Sequence, residues 1–299
     1  MKKAQLDRAR KLIKPYRVTR GKSFRLKDID PADTAGHTPE EKGLARELLT
    51  EVVEWLSEQQ DMLYAQDHWA VLLIFQAMDA AGKDGTIKHV TSGINPQGCN
   101  VISFKQPSSE ELDHDYLWRC IRHVPARGQI GIFNRSYYED VLVVKVHDEL
   151  LAGQKLPPSL VTKKIWQHRY EDIRNFERYL ARNGILPIKF FLHMSKAEQK
   201  RRFMERLDNP EKNWKFSAAD VAERQHWVEY QAAYEAAIRH TASDFAPWYV
   251  VPADNKWFTR LVVAAVVVDC LAKLKLHYPK LGQAKMKQLA AAREQLESE

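Results

Sequence analysis

The sequence predicts an α/β fold: a three-layer αβα arrangement with a five-stranded parallel sheet at its centre and a helical lid over one end. Three observations predict it. Short apolar runs alternate with helix-compatible segments between residues 69 and 276, which implies a parallel sheet covered on both faces. The first run, Val71-Leu72-Leu73-Ile74-Phe75, passes into Gln76-Ala77-Met78-Asp79-Ala80-Ala81-Gly82-Lys83-Asp84-Gly85-Thr86, the order of a buried strand, a tight loop and a helix start. A cation-dense helix after Ser195 then breaks at Asn209-Pro210 into a basic connector ahead of another helix, the layout of a lid.

Size and charge bound the function. The chain has 299 residues, 44% of them hydrophobic and 28% charged, enough for one large domain with terminal extensions. A formal net charge of +7 suits a polyanionic partner, whether nucleic acid, nucleotide or inorganic phosphate chain. Cys99, Cys120 and Cys270 are scattered and odd in number, with neither metal-ligand spacing nor a disulfide framework, as in a reducing compartment. The basic N-terminus has no apolar centre, and the apolar run at 261–268 is far too short to span a bilayer. A cytoplasmic protein without a membrane partner is the expectation.

Residues 1–38, interrupted by Pro15, Gly21, Pro31 and Gly36, are expected to form an extended basic arm. Thr38-Pro39-Glu40-Glu41 reads as a helix start with a cap, a proline at the first position and acids in the first turn. Leu44, Leu48, Val52, Trp55, Leu56 and Leu63 then recur at helical spacing, a stripe that packs on the main domain. Strands are expected at 69–75, 100–105, 129–133, 186–192 and 248–251. Helices are expected from about 83 to 92, 107 to 122, 159 to 182, 195 to 207, 218 to 239 and 255 to 276, with Ser195 as a cap. The domain boundaries follow: arm 1–38, main domain 39–278 with its lid at about 200–217, and a helical tail at 279–299 rich in Ala, Lys, Glu and Gln.

The chemistry is expected where the strands end, since ligands of such sheets sit at the carboxyl edge. Free N–H groups and the positive dipole end of the helix at Lys83 make an anion site. Ala80, Ala81 and Gly82 let the backbone approach a phosphate, Asp84 and Gly85 continue the cradle, and Lys83 adds a mobile charge. The match to a phosphate-binding P-loop is imperfect: Ala77 replaces the first glycine, and Asp84 the Ser/Thr that would contact Mg2+. Another hard oxygen is then needed, and Asp79 and Asp84 offer carboxylates.

Strand three ends in Phe133-Asn134-Arg135-Ser136-Tyr137-Tyr138-Glu139-Asp140. Arg135 carries a planar fork suited to phosphate oxygens. Asn134 can hydrogen-bond a nucleotide, and Glu139, about one helical turn on, can supply a carboxylate. In the lid, Lys200, Arg201, Arg202, Arg206, Lys212 and Lys215 are the cations, and Trp214 and Phe216 give the connector something apolar to dock. Such a set suits phosphoryl transfer, which needs positioning and neutralised oxygens more than a protein nucleophile. His114, His123, His147 and His168 lack metal-ligand spacing and read as surface or core side chains.

Together, residues 75–85, Asn95-Pro96-Gln97-Gly98, 133–141 and 208–217 resemble the polyphosphate kinase 2 family over roughly residues 15–278. The resemblance implies a thymidylate-kinase-like P-loop kinase fold and transfer of phosphoryl groups between inorganic polyphosphate and AMP, ADP or ATP. It implies Mg2+, or Mn2+ in its place, held by Asp79 and Glu139. It also implies Asp79, Lys83 and Arg135 as the catalytic set, Asp84, Asn134 and Glu139 at the nucleotide, and lid cations on the polymer. A homo-oligomer, dimer or tetramer, is implied, with the stripe of helix 40–66 as one candidate contact, and nucleic acid is not an expected partner. Members limited to nucleoside diphosphates tend to carry Asp where this chain has Asn134, so the chain is similar to those that accept both AMP and ADP. Two other readings compete: an ATP-dependent nucleoside monophosphate kinase on the same fold, and a non-catalytic P-loop protein that binds nucleotide or RNA.

Overall fold

A computed structural model describes residues 3–38 and 42–299. The start of the second helix expected at 38–41 falls partly outside these, as do the side chains of Leu44, Leu48 and Lys215. One six-stranded sheet organises the molecule. Its strands are β1 (Arg17–Val18), β2 (Ala70–Ala77), β3 (Cys99–Ser103), β4 (Ile130–Asn134), β5 (Ile185–His193) and β6 (Trp248–Pro252), in the order β1-β6-β5-β2-β4-β3. Five strands run parallel as expected. The sixth, β1, pairs antiparallel with β6 through Arg17 opposite Tyr249 and Val18 opposite Trp248. All eight residues of β2 are buried, as a strand between two neighbours and two helical layers must be.

Helices of eight residues or more are α1 (Lys3–Ile13), α2 (Lys42–Gln66), α3 (Lys83–Val90), α4 (Ile165–Arg182), α5 (Lys196–Asp208), α6 (Trp227–Thr241), α7 (Lys256–Lys273) and α8 (Gln283–Glu297). One apolar layer joins α1, α2, α3 and α7 to the sheet, and the other joins α4, α6 and the turn at 137–146.

The N-terminal arm is folded, not extended. Residues 261–268 in α7 are buried on every side, so the sheet covers one flank of that helix and another element must cover the rest. Helix α1 does so with Ile13 buried and Leu6, Ala9 and Leu12 packed behind it, and Arg10 Nε meets Asp269 Oδ1 at 2.9 Å. Past Pro15 the arm buries Tyr16 and Leu26 and then climbs beside α6. Leu56 and Leu63 of α2 are wholly buried within the chain, so that part of the stripe packs inward and presents nothing to a partner copy.

Two expected helices are interrupted. Residues 107–122 form only the turns Ser109–Leu112, with a Ser108–Glu111 capping box, and Trp118–Ile121. The helix expected at 218–239 is split into Ala218–Glu223 and α6 by a 3-10 turn at Arg224–His226. Ser195 does cap α5, its side chain accepting from Glu198 N.

Candidate active site

Strand β2 delivers the loop at 78–82 to the carboxyl edge of the sheet, and α3 opens directly after it at Lys83. The turn is tight enough that Ala80 and Gly82 take φ of 64° and 95°, the left-handed region that costs an alanine energy and a glycine almost none. Gly82 meets that requirement at the helix N-cap. Lys83 folds back along the loop, its Nζ donating to Ala77 O at 3.0 Å. Burial, and then the neighbouring Arg135 charge, pull the Lys83 amine below its ordinary value, against Asp79, Glu139 and Asp84.

Strand β4 lies beside β2, with Phe75 opposite Asn134, so the turn after β4 meets the loop after β2. Arg135 has φ of 67°, and its backbone N–H donates to Phe75 O at 3.0 Å. Its guanidinium bridges two carboxylates, donating to Asp79 Oδ1 and to Glu139 Oε2, each at 2.9 Å. Glu139 first, and Asp79 after it, hold the Arg135 guanidinium firmly charged. Asn134 Nδ2 donates to Asp84 Oδ1 at 2.7 Å. With its amide oriented to satisfy both neighbours, Gln76 donates to Glu139 Oε1 at 2.8 Å and accepts from Ser136 N at 3.0 Å.

A buried network fixes the same turn from below. Lys189 Nζ donates to Glu177 Oε2 at 2.5 Å, Thr241 O at 2.9 Å and Tyr138 OH at 3.1 Å. Tyr137 and Tyr138 both donate to Glu177 Oε1, at 3.1 and 2.8 Å. Burial drives the Lys189 amine down, and Glu177 opposes it. A buried pair of this kind holds only when its remaining donors and acceptors are also satisfied, as the tyrosines and threonine ensure.

The lid cations divide. Arg202 is 4% exposed. Its Nη1 donates to Ala80 O and Ala81 O, its Nη2 to Ala253 O and Asp254 O, and its Nε to Glu198 Oε1, at 2.6 to 3.1 Å. Those contacts occupy its five N–H donors, so Arg202 braces the phosphate loop and has no donor left for a phosphate, contrary to the sequence expectation. Gln199 Nε2 adds a bond to Asp79 O at 3.0 Å. Arg201 is exposed and paired with Glu198 and Glu205. Arg206 lies 3.7 Å from Asp220, and Lys212 pairs with Glu205. Trp214 is 78% exposed.

Between these segments lies a cavity of about 30 Å3 lined by Asp79, Arg135, Glu139, Gln199, Glu223, Tyr230 and Tyr234, among others. Sequence reasoning missed its far wall. Glu223 accepts from Tyr230 OH at 2.7 Å and lies 3.0 Å from His147 Nε2. Asp220 is near enough to Asp79 that burial and that charge together raise its carboxyl. These residues follow the connector and carry no motif spacing; only the return of α6 past the loop brings them in. Among the described residues no three His, Cys, Asp or Glu side chains are grouped to hold a metal ion.

The family model described as polyphosphate kinase 2 matches residues 40–279. The chain belongs to the polyphosphate kinase 2 family. It is 54% identical over 258 residues, 86% of this chain and 89% of the relative, to an ADP-polyphosphate phosphotransferase of Rhodopseudomonas palustris. It is 47% identical over 268 residues, 90% of this chain and 96% of the relative, to an AMP/ADP-polyphosphate phosphotransferase of Meiothermus ruber. Its fold is similar to the crystal structure of polyphosphate kinase 2 from Arthrobacter aurescens, with a TM-score of 0.84 at 39% identity, covering 94% of this chain and 96% of that one. The chain is thus an α/β enzyme of the phosphotransferase class. No helix among its described residues is long and apolar enough to cross a membrane.

Proposed function

We propose that this enzyme transfers the terminal phosphoryl group of inorganic polyphosphate to AMP and to ADP, giving ADP and ATP, reversibly and without a covalent protein intermediate. One observation carries the reading beyond family membership. The loop at 79–85, the turn at 134–139 and the base of the lid helix meet at the carboxyl edge of the sheet, where Asp79, Lys83, Arg135 and Glu139 stand together.

The resting charges are internally satisfied, so substrate phosphates act by exchange. Phosphate oxygens draw Lys83 off the Ala77 carbonyl and take the planar fork of Arg135 from its two carboxylates. The acceptor oxygen forms a bond to phosphorus while the bond to the shortened polymer breaks. The acceptor is already an anion at neutral pH, so positioning and charge neutralisation, not proton removal, are what the protein supplies. The lid cations Arg201, Arg206, Lys212 and Lys215 are assigned to the polymer, and Asp84 and Asn134 to the nucleotide. The acceptor cavity of about 30 Å3 lies far below the ~300 Å3 of a usual small-molecule site, so turnover includes opening of the connector at 209–226.

The donor set fits a divalent cation. Asp79 and Glu139 present hard oxygens to one point, the Arg135 guanidinium, and Mg2+ is commonly held by one or two carboxylates plus substrate phosphates. These two residues would hold Mg2+ or Mn2+, which shields phosphoryl oxygens during transfer. We place the active form as a homo-oligomer. The test is phosphorylation of AMP and ADP by long-chain polyphosphate and Mg2+ with no ATP added. Appearance of ADP and ATP supports the reading; product formed only from added ATP would replace it with an ATP-dependent monophosphate kinase.

A further inference from the structure

A far larger cavity, about 680 Å3, lies away from the phosphate loop. It is walled by the arm at 19–22, by α4 through Arg174 and by the last turns of α6. Residue 18 pairs with the first residue of β6, so the arm turns here beside the edge where the parallel strands begin. The reacting edge is the opposite one. The nine residues of β5 put the two edges roughly 25–30 Å apart.

The wall is built, not incidental. Gly21 lies so close to the end of α6 that a Cβ there would stand 2.1 Å from Arg239 O, a clash only glycine avoids. Arg239 Nη2 donates to Lys22 O at 3.2 Å, and Glu235 accepts from Leu26 N at 2.8 Å. The lining is strongly cationic: Arg20, Lys22, Arg174 and Arg239 face one carboxylate, Glu235. That carboxylate is already engaged by the Leu26 amide and lies 3.7 Å from Arg239. Arg20, Lys22 and Arg174 are exposed, and none of their side chains is paired with a carboxylate among the described residues. The cavity is of ligand size and carries unneutralised charge.

The rest of the lining selects the class of anion. Its apolar wall is Ala232, Ala236 and Ala242, and its one ring, His240, is already stacked on Tyr170 at 4.9 Å. Sites for nucleotides and single-stranded nucleic acids add free aromatic faces on which bases stack, and this wall offers none. Exposed cations with no free ring to stack a base on fit a chain of phosphates.

We propose that this cavity is a second polyphosphate-binding site, which grips the polymer at a distance from its reacting end. The inference rests on polyphosphate being the donor, as proposed above. A long chain then touches the enzyme at both edges of the sheet, whereas tripolyphosphate reaches only the phosphate loop. The second contact raises effective concentration at the first without altering the chemistry.

The test compares the unaltered enzyme with the Arg20→Ala/Arg174→Ala double variant, using ADP as acceptor. Loss of two exposed phosphate contacts should raise KM for long-chain polyphosphate roughly tenfold. The kcat, the KM for tripolyphosphate and the melting temperature should stay as they were, and the gap should narrow with added salt. An unchanged long-chain KM would overturn the proposal, as would an equal rise for tripolyphosphate, which marks a diffuse charge effect. Direct binding of long-chain polyphosphate is measured on both proteins, with inorganic phosphate as competitor. Weaker binding by the variant supports the site even if the enzyme turns over no polyphosphate, an outcome that would sink the functional reading alone. Equal binding, or a loss of affinity seen only for inorganic phosphate, contradicts the site.

Discussion

Arg135 and Arg202 reach the phosphate loop from opposite sides, and they are held in opposite ways. Arg202 is buried, and its donors end on four backbone carbonyls and one carboxylate. Arg135 keeps 37% of its side chain exposed and ends on two carboxylates that are themselves partly exposed. Carbonyls of a folded loop have nowhere else to turn, so the first set of bonds is fixed. Carboxylates can trade a guanidinium for another cation, so the second set is exchangeable. The same side chain is a structural brace on one flank of the loop and a replaceable charge on the other.

The comparison breaks most visibly at the brace. Arg202→Ala leaves loop carbonyls and Glu198 without their partner and should cost about 3–5 kcal/mol of stability, read by denaturant unfolding. Arg202→Lys should recover little of it, because an ammonium cannot span carbonyls of two segments in a plane. A variant with wild-type stability would show that the brace is not one.

On the other flank the loss is in rate. Lys83→Ala and Arg135→Ala should each lower turnover at least ~100-fold, the usual cost of removing a preorganised charge donor, with Arg135→Ala unfolding near the wild-type midpoint. Near-normal rates in either would contradict the site assignment.

Acid should loosen the brace side first. His193 ends β5, just ahead of the helix that carries Arg202, and its Nδ1 is buried without a partner. Burial lowers its pKa from 6.5 to about 4. A depressed pKa means that the folded state favours the neutral ring. This stabilisation is complete above pH 6.5 and is lost as the pH falls through about 4, a change on the order of 3 kcal/mol. Melting curves across that range should be flatter for His193→Gln than for wild type.

The smallest effect concerns the acceptor. Asn134→Asp would set a second carboxylate against Asp84 in place of the 2.7 Å hydrogen bond. The added charge repels phosphates seated deep in the site, so AMP use should fall severalfold more than ADP use. Equal loss of both would remove Asn134 from acceptor selection.

Much of this fold can be read from the sequence, because its signals are local. The apolar run at 71–75 followed by small residues and Lys83 can hardly be other than strand, loop and helix, and Ser195 announces its own cap. The arm is different. Ile13, Tyr16 and Leu26 are buried but sit at irregular intervals around Pro15, and a two-residue strand has no period to detect. What requires burial there is the all-apolar stretch 261–268 of α7, some 240 residues further along. The site divides in the same way. Asp79, Lys83, Arg135 and Glu139 stand in two short motifs, whereas Arg202 counts from sequence as one more lid cation. Only the fold shows its guanidinium turned into the loop, and only the return of α6 brings Tyr230, Tyr234 and Glu223 to the cavity wall.

The exchangeable character of Arg135 is tested most directly by Mn2+ binding to the substrate-free enzyme, followed by electron paramagnetic resonance, in wild type and Arg135→Ala. If the guanidinium occupies the carboxylates that a cation would otherwise take, its removal leaves the two carboxylates of Asp79 and Glu139 against the single Lys83 amine. The variant should then bind Mn2+ more tightly than wild type while losing turnover. Equal or weaker Mn2+ binding by the variant would contradict the account.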